Sequence, residues 1–419
     1  MAAAIRYSDI GNDNREEKNI DWTLFLVTIL LLSFGIIMVF DASYSHAFQI
    51  HNDSAYWVKR QLLFAGIGLA GMFIATKISF WKWRSIAVAS MVISVILLIA
   101  VRFIGHEAMG GQRWIGIGSF KFQPSEFAKL TLVFYAAHVL ANRPRLVRDF
   151  WSGVLPFLLM PLIAIFLVER QPDLGTAVTM LLTLFAVLYA AGARVRWLMA
   201  LLAFFACAAA AFTLLHSGHN NFRSNRLVAY LDPFAYSKDA GYQMSHSLTA
   251  LGTGGLFGVG FGESREKLLG NLPMQRTDFI FAIIGEELGL VGAFLTLFAF
   301  GALSARGCQI AYKTKDAFGK LLAIGITAIT TVPALLNIAV VTGTIPTTGI
   351  PLPFISYGGS SLILTLVSIG ILLNISQNGD YKDARPNARR ERERNAWSQD
   401  SGRTGSAIIA KERLKGTYR

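Results

Sequence analysis

Residues 22–43 read WTLFLVTILLLSFGIIMVFDAS, and this stretch decides the fold class. It holds one charged side chain, Asp41, in 22 positions. As an α-helix it would be about 33 Å long, which matches a bilayer hydrocarbon core of roughly 30 Å. The preceding residues, 1–21, are polar and mixed in charge, unlike the basic start of a cleaved signal peptide. We therefore expect a retained membrane anchor.

The rest of the chain repeats this apolar pattern. Of its 419 residues, 53% are hydrophobic and 16% are charged, whereas a soluble globular protein has about 25% charged residues. This composition excludes a soluble enzyme and predicts an all-α polytopic integral membrane protein with ten transmembrane helices. The predicted spans are 22–43, 60–78, 84–104, 126–142, 153–169, 173–192, 195–216, 279–304, 317–343 and 355–376.

Lysine and arginine are unevenly distributed between these spans. With a cytoplasmic N-terminus, the inner connections carry most of them, while the outer connections at 44–57 and 344–354 carry none. The positive-inside rule therefore predicts that both termini are cytoplasmic. The membrane domain covers 22–376, and a basic cytoplasmic tail covers 377–419, which either sets orientation or binds anionic lipid or a cytosolic partner. The net charge of +13 is thus a topology signal, and nucleic acid is excluded as a partner.

One connection is much longer than the others. Residues 217–278 form a large extracytoplasmic loop between the seventh and eighth spans, with a helix-like stretch at 243–250. Long loops in compact proteins are usually functional or disordered. A glycine cluster in it resembles a dinucleotide-binding fingerprint, but no βαβ pattern surrounds it. We favour close backbone packing for this cluster, which comprises Gly252, Gly254, Gly255, Gly258, Gly260 and Gly262.

The loop ends in LPMQRTDFIFA, residues 272–282. Thr277 and Asp278 would cap the next helix, or Asp278 would be a general base facing an extracytoplasmic cavity. Further along the same helix, Glu286 lies about 80° around from Asp278, and Glu287 points to the opposite face. We expect these two glutamates to make buried structural hydrogen bonds, because unpaired carboxylates in hydrocarbon are costly.

A second polar motif, QPSEFAK at residues 123–129, opens the fourth span. Lys129 points into an apolar segment, where it would pair either with Glu126, three residues earlier, or with Asp278 from another helix. Spacing alone does not choose between these partners. Arg113, just before the motif, would either bind an anionic ligand or anchor at the membrane interface.

Two further polar segments lie at the predicted outer surface. Asp173 begins the sixth span, where we expect it to act mainly as a helix cap. Residues 349–361, GIPLPFISYGGSS, combine a proline-rich turn with small hydroxyl residues that would allow close packing or admit a head group. The seven histidines are scattered without metal-ligand spacing, so the sequence predicts no metal site.

Taken in order, these motifs resemble those of the SEDS family of bacterial shape, elongation, division and sporulation proteins, over residues 22–376. The 1–21 leader, the Gly241–Gln243 context and the long basic tail are more similar to FtsW-like division members than to RodA-like elongation members. The motifs that carry the resemblance are Arg113-Trp114-Ile115, Gln123-Pro124-Ser125-Glu126 with Lys129, Gln171-Pro172-Asp173-Leu174-Gly175-Thr176, Gly241-Tyr242-Gln243, Thr277-Asp278-Phe279-Ile280-Phe281-Ala282 with Glu286-Glu287, and Pro351-Leu352-Pro353-Phe354 with Ser356-Tyr357-Gly358-Gly359-Ser360.

The resemblance implies a ten-helix peptidoglycan glycosyltransferase that polymerises lipid II at the outer face of the bacterial cytoplasmic membrane. It implies Asp278 as the essential acid and Glu126 and Lys129 as functionally important. Where the family often has Leu-Pro-Glu-x-His before this acid, residues 272–276 read LPMQR, so an acid is missing and Arg276 replaces the histidine. The implied partners are a class B penicillin-binding protein, other division proteins and membrane lipid.

The resulting hypothesis is an inverting glycosyl transfer in which Asp278 takes the proton from the acceptor's 4-hydroxyl group and lipid pyrophosphate leaves. A lipid II flippase and a non-catalytic scaffold for a transpeptidase are the alternatives. The sequence establishes no cofactor, although a divalent cation beside the pyrophosphate stays open. The residues expected to bind substrate or support the site are Lys129, first in rank, then Arg113, Arg226, Glu126, Gln123, Asp173, Thr277, Ser356 and Ser360.

Overall fold

The computed structural model describes residues 20–108, 111–117, 120–144, 147, 149–215, 230–239, 241–270 and 272–378. Arg226, the basic tail and nearly all of the 1–21 leader lie outside these ranges. The predictions made for them therefore stay predictions.

Within these ranges the chain forms twelve α-helices, one π-helical turn at Phe150–Val154 and three short strands. The helices are α1 (Trp22–His51), α2 (Tyr56–Lys77), α3 (Phe80–Ile104), α4 (Pro124–Asn142), α5 (Leu155–Glu169), α6 (Leu174–Ala190), α7 (Val195–Leu215), α8 (Tyr242–Gly254), α9 (Arg265–Leu268), α10 (Ile280–Lys313), α11 (Ala317–Val341) and α12 (Gly359–Asn378).

The ten long helices coincide in position with the ten predicted apolar stretches. Among the described residues, six of them are long and apolar enough to cross a membrane: α1, α2, α3, α10, α11 and α12. The number of spans itself stays a prediction. Several boundaries differ from the predicted ones, most of all the ends of two helices: α1 continues to His51 and α10 to Lys313. α12 begins at Gly359 because the proline-rich segment before it is not helical.

A small antiparallel sheet interrupts the helical pattern between α3 and α4. Its strands are β1 (His106–Ala108), β2 (Gly111–Ile117) and β3 (Phe120–Phe122), in the order β1-β2-β3. The prediction of an all-α chain did not include it, because two of its three strands have only three residues, too few to show an alternating pattern. β2 carries Arg113 towards the turn that precedes α6.

One proline-rich segment, which precedes α12, packs against the middle of α1, the end of α11 and the turn before α10. α12 lies along α2, α10 along α11, and α11 also contacts α4 and α6. A Cβ atom on Gly370 would lie 2.3 Å from the Met72 carbonyl oxygen, and one on Gly35 would lie 2.2 Å from the Phe354 carbonyl oxygen. Small residues at these points let backbones approach closely, as is common between membrane helices.

The long loop folds back onto α10 where that helix is broken. Gly289 has φ +67° and ψ −164°, which interrupts the helical hydrogen bonds. The loop completes them: Val259 N donates to the Glu286 carbonyl at 3.0 Å, and Leu290 N donates to the Gly255 carbonyl at 2.9 Å. A Cβ atom on Gly258 would lie 2.0 Å from the Glu287 carbonyl oxygen. These contacts confirm close backbone packing for this part of the glycine cluster.

Lys267, in α9, is 2% exposed and lies between acidic side chains of α1 and α10. Its Nζ atom is 2.8 and 2.9 Å from the two carboxylate oxygens of Asp41 and 2.5 Å from Glu287 Oε1. Glu286, also fully buried, accepts hydrogen bonds from Ser264 Oγ and from Arg265 N. The prediction that both glutamates make buried hydrogen bonds is confirmed, and they anchor the loop.

Candidate active site

Asp278 lies in a turn, immediately before a helix. Residues 273–279 are turns, α10 begins at Ile280, and its N-cap residue is Phe279, whose side chain makes no cap hydrogen bond. Phe279, and neither Thr277 nor Asp278, therefore occupies the N-cap position of α10. Asp278 is half-buried, two residues before the helix begins.

Three hydrogen bonds hold the backbone around Asp278 against the segment that precedes α12. Asn337 Nδ2 donates to the Asp278 carbonyl at 2.6 Å and to the Ile350 carbonyl at 2.7 Å. Ser356 Oγ donates to the Thr277 carbonyl at 2.5 Å. Side-chain donors from two other parts of the chain thus fix the position of this carboxylate, as a preorganised catalytic group requires.

The carboxylate of Asp278 lies beside an exposed glycine. A Cβ atom on Gly349 would be 3.6 Å from Asp278 Oδ2, and Gly349 has φ +73°. Met274 (φ +59°) and Phe354 (φ +65°), on the two segments that meet here, also adopt positive φ, which costs non-glycine residues about 1–3 kcal/mol each. Backbone strain of this kind is concentrated at functional sites.

Arg276, where the family often has histidine, makes aromatic contacts. Its guanidinium carbon lies 4.2 Å from the centre of the Trp57 ring, and Nη1 is 3.5 Å from His46 Nδ1. Burial lowers the pKa of the Arg276 guanidinium from its usual range. Because the cation is held over a ring, we assign Arg276 first to fixing the turn against α2.

A second polar group joins α4 to the start of α6. Asp173 Oδ1 accepts from Thr176 N at 3.2 Å, which confirms Asp173 as the cap of α6. Its Oδ2 atom accepts from Gln123 Nε2 at 3.1 Å and Ser125 Oγ at 3.3 Å. One carboxylate therefore caps a helix and links the two motifs.

Lys129 pairs with Glu126, one of the two partners that the sequence left open. The distance from Nζ to Glu126 Oε1 is 2.9 Å, and the side chains are 12% and 5% exposed. Pairing of Lys129 with Asp278 stays a prediction.

Arg113 donates through Nε to the Gln171 carbonyl at 2.9 Å and through Nη2 to the Pro172 carbonyl, so it ties β2 to the turn before α6.

The segment 348–350 lies between the turn that carries Asp278 and the polar group around Asp173. A Cβ atom on Gly175, two residues after Asp173, would lie 2.4 Å from Ile350 Cγ1 and 2.9 Å from the Thr348 carbonyl oxygen. Since Gly349 adjoins Asp278, the same three residues contact both groups.

Ser360 is 7% exposed, and its hydroxyl has no hydrogen-bond partner among the described residues. Arg226 lies outside them.

Asn337, whose amide holds Asp278 in place, is not among the predicted site residues. It is 1% exposed, and its signal in the sequence is that of a polar amide inside an apolar span. The contact between Lys267 and Asp41 was not predicted either, because residues 226 positions apart show no pattern in sequence. Among the described residues, no group of three or more His, Cys, Asp or Glu side chains is placed to hold a metal ion.

The chain is similar in sequence to a known protein family and to several of its members. The cell cycle protein family that comprises FtsW, RodA and SpoVE matches residues 21–381. Stage V sporulation protein E of Bacillus subtilis is 41% identical over 363 residues, which cover 86% of this chain and 98% of that protein. A probable peptidoglycan glycosyltransferase FtsW of Trichlorobacter lovleyi is 40% identical over 358 residues, covering 85% and 93%.

A solved structure shares the fold. A chain from a peptidoglycan synthase complex that coordinates polymerization and crosslinking superposes with a TM-score of 0.72 at 28% identity, covering 87% of this chain and 99% of that one. The family match, the sequence identities and this superposition agree with the resemblance stated above, and with the apolar helices they establish a multi-pass membrane protein. The chain belongs to the FtsW, RodA and SpoVE family of cell cycle proteins.

Proposed function

We propose that this protein is a peptidoglycan glycosyltransferase that polymerises lipid II at the outer face of the cytoplasmic membrane during cell division. The observation that carries the proposal is the placement of Asp278. Its carboxylate is presented on a turn that Asn337 and Ser356 hold by the backbone, beside exposed Gly349. The names of the relatives support the same reaction class.

In the proposed reaction, the 4-hydroxyl oxygen of the acceptor sugar attacks the anomeric carbon of the donor. The bond from that carbon to the lipid pyrophosphate breaks on the opposite face, so the configuration inverts. Asp278 accepts the hydroxyl proton as the new bond forms. The leaving group is already anionic, and therefore needs charge stabilisation more than it needs a proton.

Lys129 is the first candidate for that stabilising charge. Its pairing with Glu126 partly neutralises it, so its contribution depends on how far the ammonium group turns towards the substrate. Gln123 and Ser125 donate hydrogen bonds to Asp173, and so join the start of α4, the helix of Lys129, to the start of α6. We assign these three a positioning role, because their described hydrogen bonds link helices.

The proposed topology has both termini in the cytoplasm and Asp278 on the outer side. The proposed partner is a class B penicillin-binding protein, which would crosslink the strand that this chain makes. The structural relative in a synthase complex supports such a partner.

The test is polymerisation of lipid II by the purified protein with its partner, comparing wild type with Asp278→Asn. We expect Asp278→Asn to lose at least about 100-fold in rate, since a positioned general base contributes about 10²–10⁴-fold. Asp53→Asn is the matched control, because Asp53 is an acid between α1 and α2 that pairs with Lys59. Full activity in Asp278→Asn would end the base assignment. Transbilayer movement of lipid II without any glycan product would favour a flippase.

A further inference from the structure

A cavity of about 460 Å³ lies between one face of α8 and the turn at 233–239. α8 contributes Tyr242, Ser245, His246 and Thr249, which are spaced to lie on one helical face. The turn contributes Phe234 and Lys238. This volume is within the range of small-ligand sites, roughly 300–1,000 Å³. Tyr242 belongs to the Gly241–Gln243 motif, to which the proposed reaction gives no role.

The lining favours a ligand that is rich in hydroxyl groups and has apolar faces. Phe234 is 59% exposed and, with Tyr242, offers aromatic surface. His246 lines the cavity, and its Nδ1 atom is 2.7 Å from Glu266 Oε2, so the imidazole is held in place by a polar partner. Lys238 is exposed and adds one cation. Sugar rings stack on aromatic faces and bond to such polar pairs, and a single cation suits a carboxylate.

α8 separates this cavity from Asp278. Its opposite face is buried against the helices that hold the candidate active site. Ser247 Oγ donates to the Val341 carbonyl of α11 at 2.9 Å, and Asn337, one turn earlier on α11, holds Asp278. A Cβ atom on Gly254 would lie 2.0 Å from the Gly285 carbonyl of α10. A ligand that occupies both the cavity and the active site must therefore extend past α8.

We infer that this cavity binds the growing glycan strand, through N-acetylated sugars that carry an acidic side group, at a distance from the reacting bond. The inference rests on the proposed function, because the strand is the product of that reaction. A strand held at this second point stays on the protein between successive transfers, so the cavity controls the length of the product.

The test measures binding of a lipid-free tetrasaccharide of alternating N-acetylglucosamine and N-acetylmuramic acid to the full-length protein, by calorimetry. The variant Phe234→Ala with Lys238→Ala removes one aromatic contact and one cation without touching the buried helix face. We expect about tenfold weaker binding. Leu231→Ala is the control, because Leu231 is 77% exposed near the same turn but does not line the cavity. It should bind like the wild type.

Strand length is the second measurement. In lipid II polymerisation the double variant should make shorter strands than the wild type and the Leu231→Ala control. Unchanged binding in the double variant overturns the site, and weakened binding with unchanged strand length overturns the assignment to the strand. Asp278→Asn separates the two proposals: it should still bind the tetrasaccharide, and full polymerisation by that variant would sink the proposed function alone. Loss of tetrasaccharide binding in Asp278→Asn would show that the fragment occupies the active site instead of the cavity.

Discussion

Replacing Lys267 by methionine is the sharpest test of how the long loop is held. The side chain is 1% exposed and makes three contacts of 2.5–2.9 Å with Asp41 and Glu287. Methionine keeps most of the volume but removes the charge, so two buried carboxylates lose their cation. Removing one partner of a buried ion pair costs about 3–5 kcal/mol. We expect the free energy of unfolding to fall by this amount.

Equilibrium unfolding of the purified protein in mixed micelles measures this change. Lys59→Met is the matched control: Lys59 also pairs with an aspartate, but its side chain is 66% exposed, and surface pairs contribute about 0–1 kcal/mol. Adding Asp41→Asn to Lys267→Met should recover part of the loss, because one uncompensated charge disappears. Equal effects of Lys267→Met and Lys59→Met would refute a buried ionic anchor.

Two further substitutions test how the site and the loop are positioned. Asn337→Leu removes the hydrogen bonds to the Asp278 and Ile350 carbonyls, so kcat for lipid II polymerisation should fall about tenfold, with KM little changed, as expected when about 1–3 kcal/mol of buried hydrogen bonding is lost. Asn142→Leu, at an exposed corner, should leave kcat unchanged, and equal kcat in both variants would contradict the positioning role. Gly258→Ala places a Cβ atom 2.0 Å from a backbone oxygen of α10 at φ +80°, and should lower stability by about 1–3 kcal/mol or more. Gly252→Ala, with no neighbouring atom within 4 Å, should not lower the melting temperature, and the same loss in both would rule out the clash.

The helices could be predicted from the sequence because each is coded locally. An apolar run of about 20 residues has to become a helix in a bilayer, since every backbone polar group must find its partner within the segment. The helix at 242–254 was also visible in sequence, as a stretch at 243–250. The break at Gly289 was not visible, because it depends on hydrogen bonds to loop residues about 30 positions earlier in the chain, such as Gly255 and Val259. The sheet between α3 and α4 pairs residues that are close in sequence, but two of its three strands are too short to show an alternating pattern.

For the candidate site too, the sequence predicted some residues, whereas their contacts came only from the structure. Scarce charges in apolar surroundings pointed to Asp278 and Lys129 from sequence alone, because ionisable groups near a membrane are retained mainly where they have a function. Spacing could not choose a partner for Lys129, and the structure pairs it with Glu126. The sequence left two roles possible for Arg113, and the structure shows that its side chain donates hydrogen bonds to the Gln171 and Pro172 carbonyls.

Hydrophobicity and charge along the chain thus determine the membrane fold class, the approximate helices and the acid on which the proposed reaction depends. Only the tertiary structure decides what holds that acid: Asn337, 59 residues away, Ser356, 79 residues from Thr277, and Gly349 beside the carboxylate. The physical reason is the separation along the chain of the residues on which each property depends. Transfer of a side chain into hydrocarbon is a property of each residue, whereas a hydrogen bond or an ion pair exists only where the folded helices bring two distant groups together.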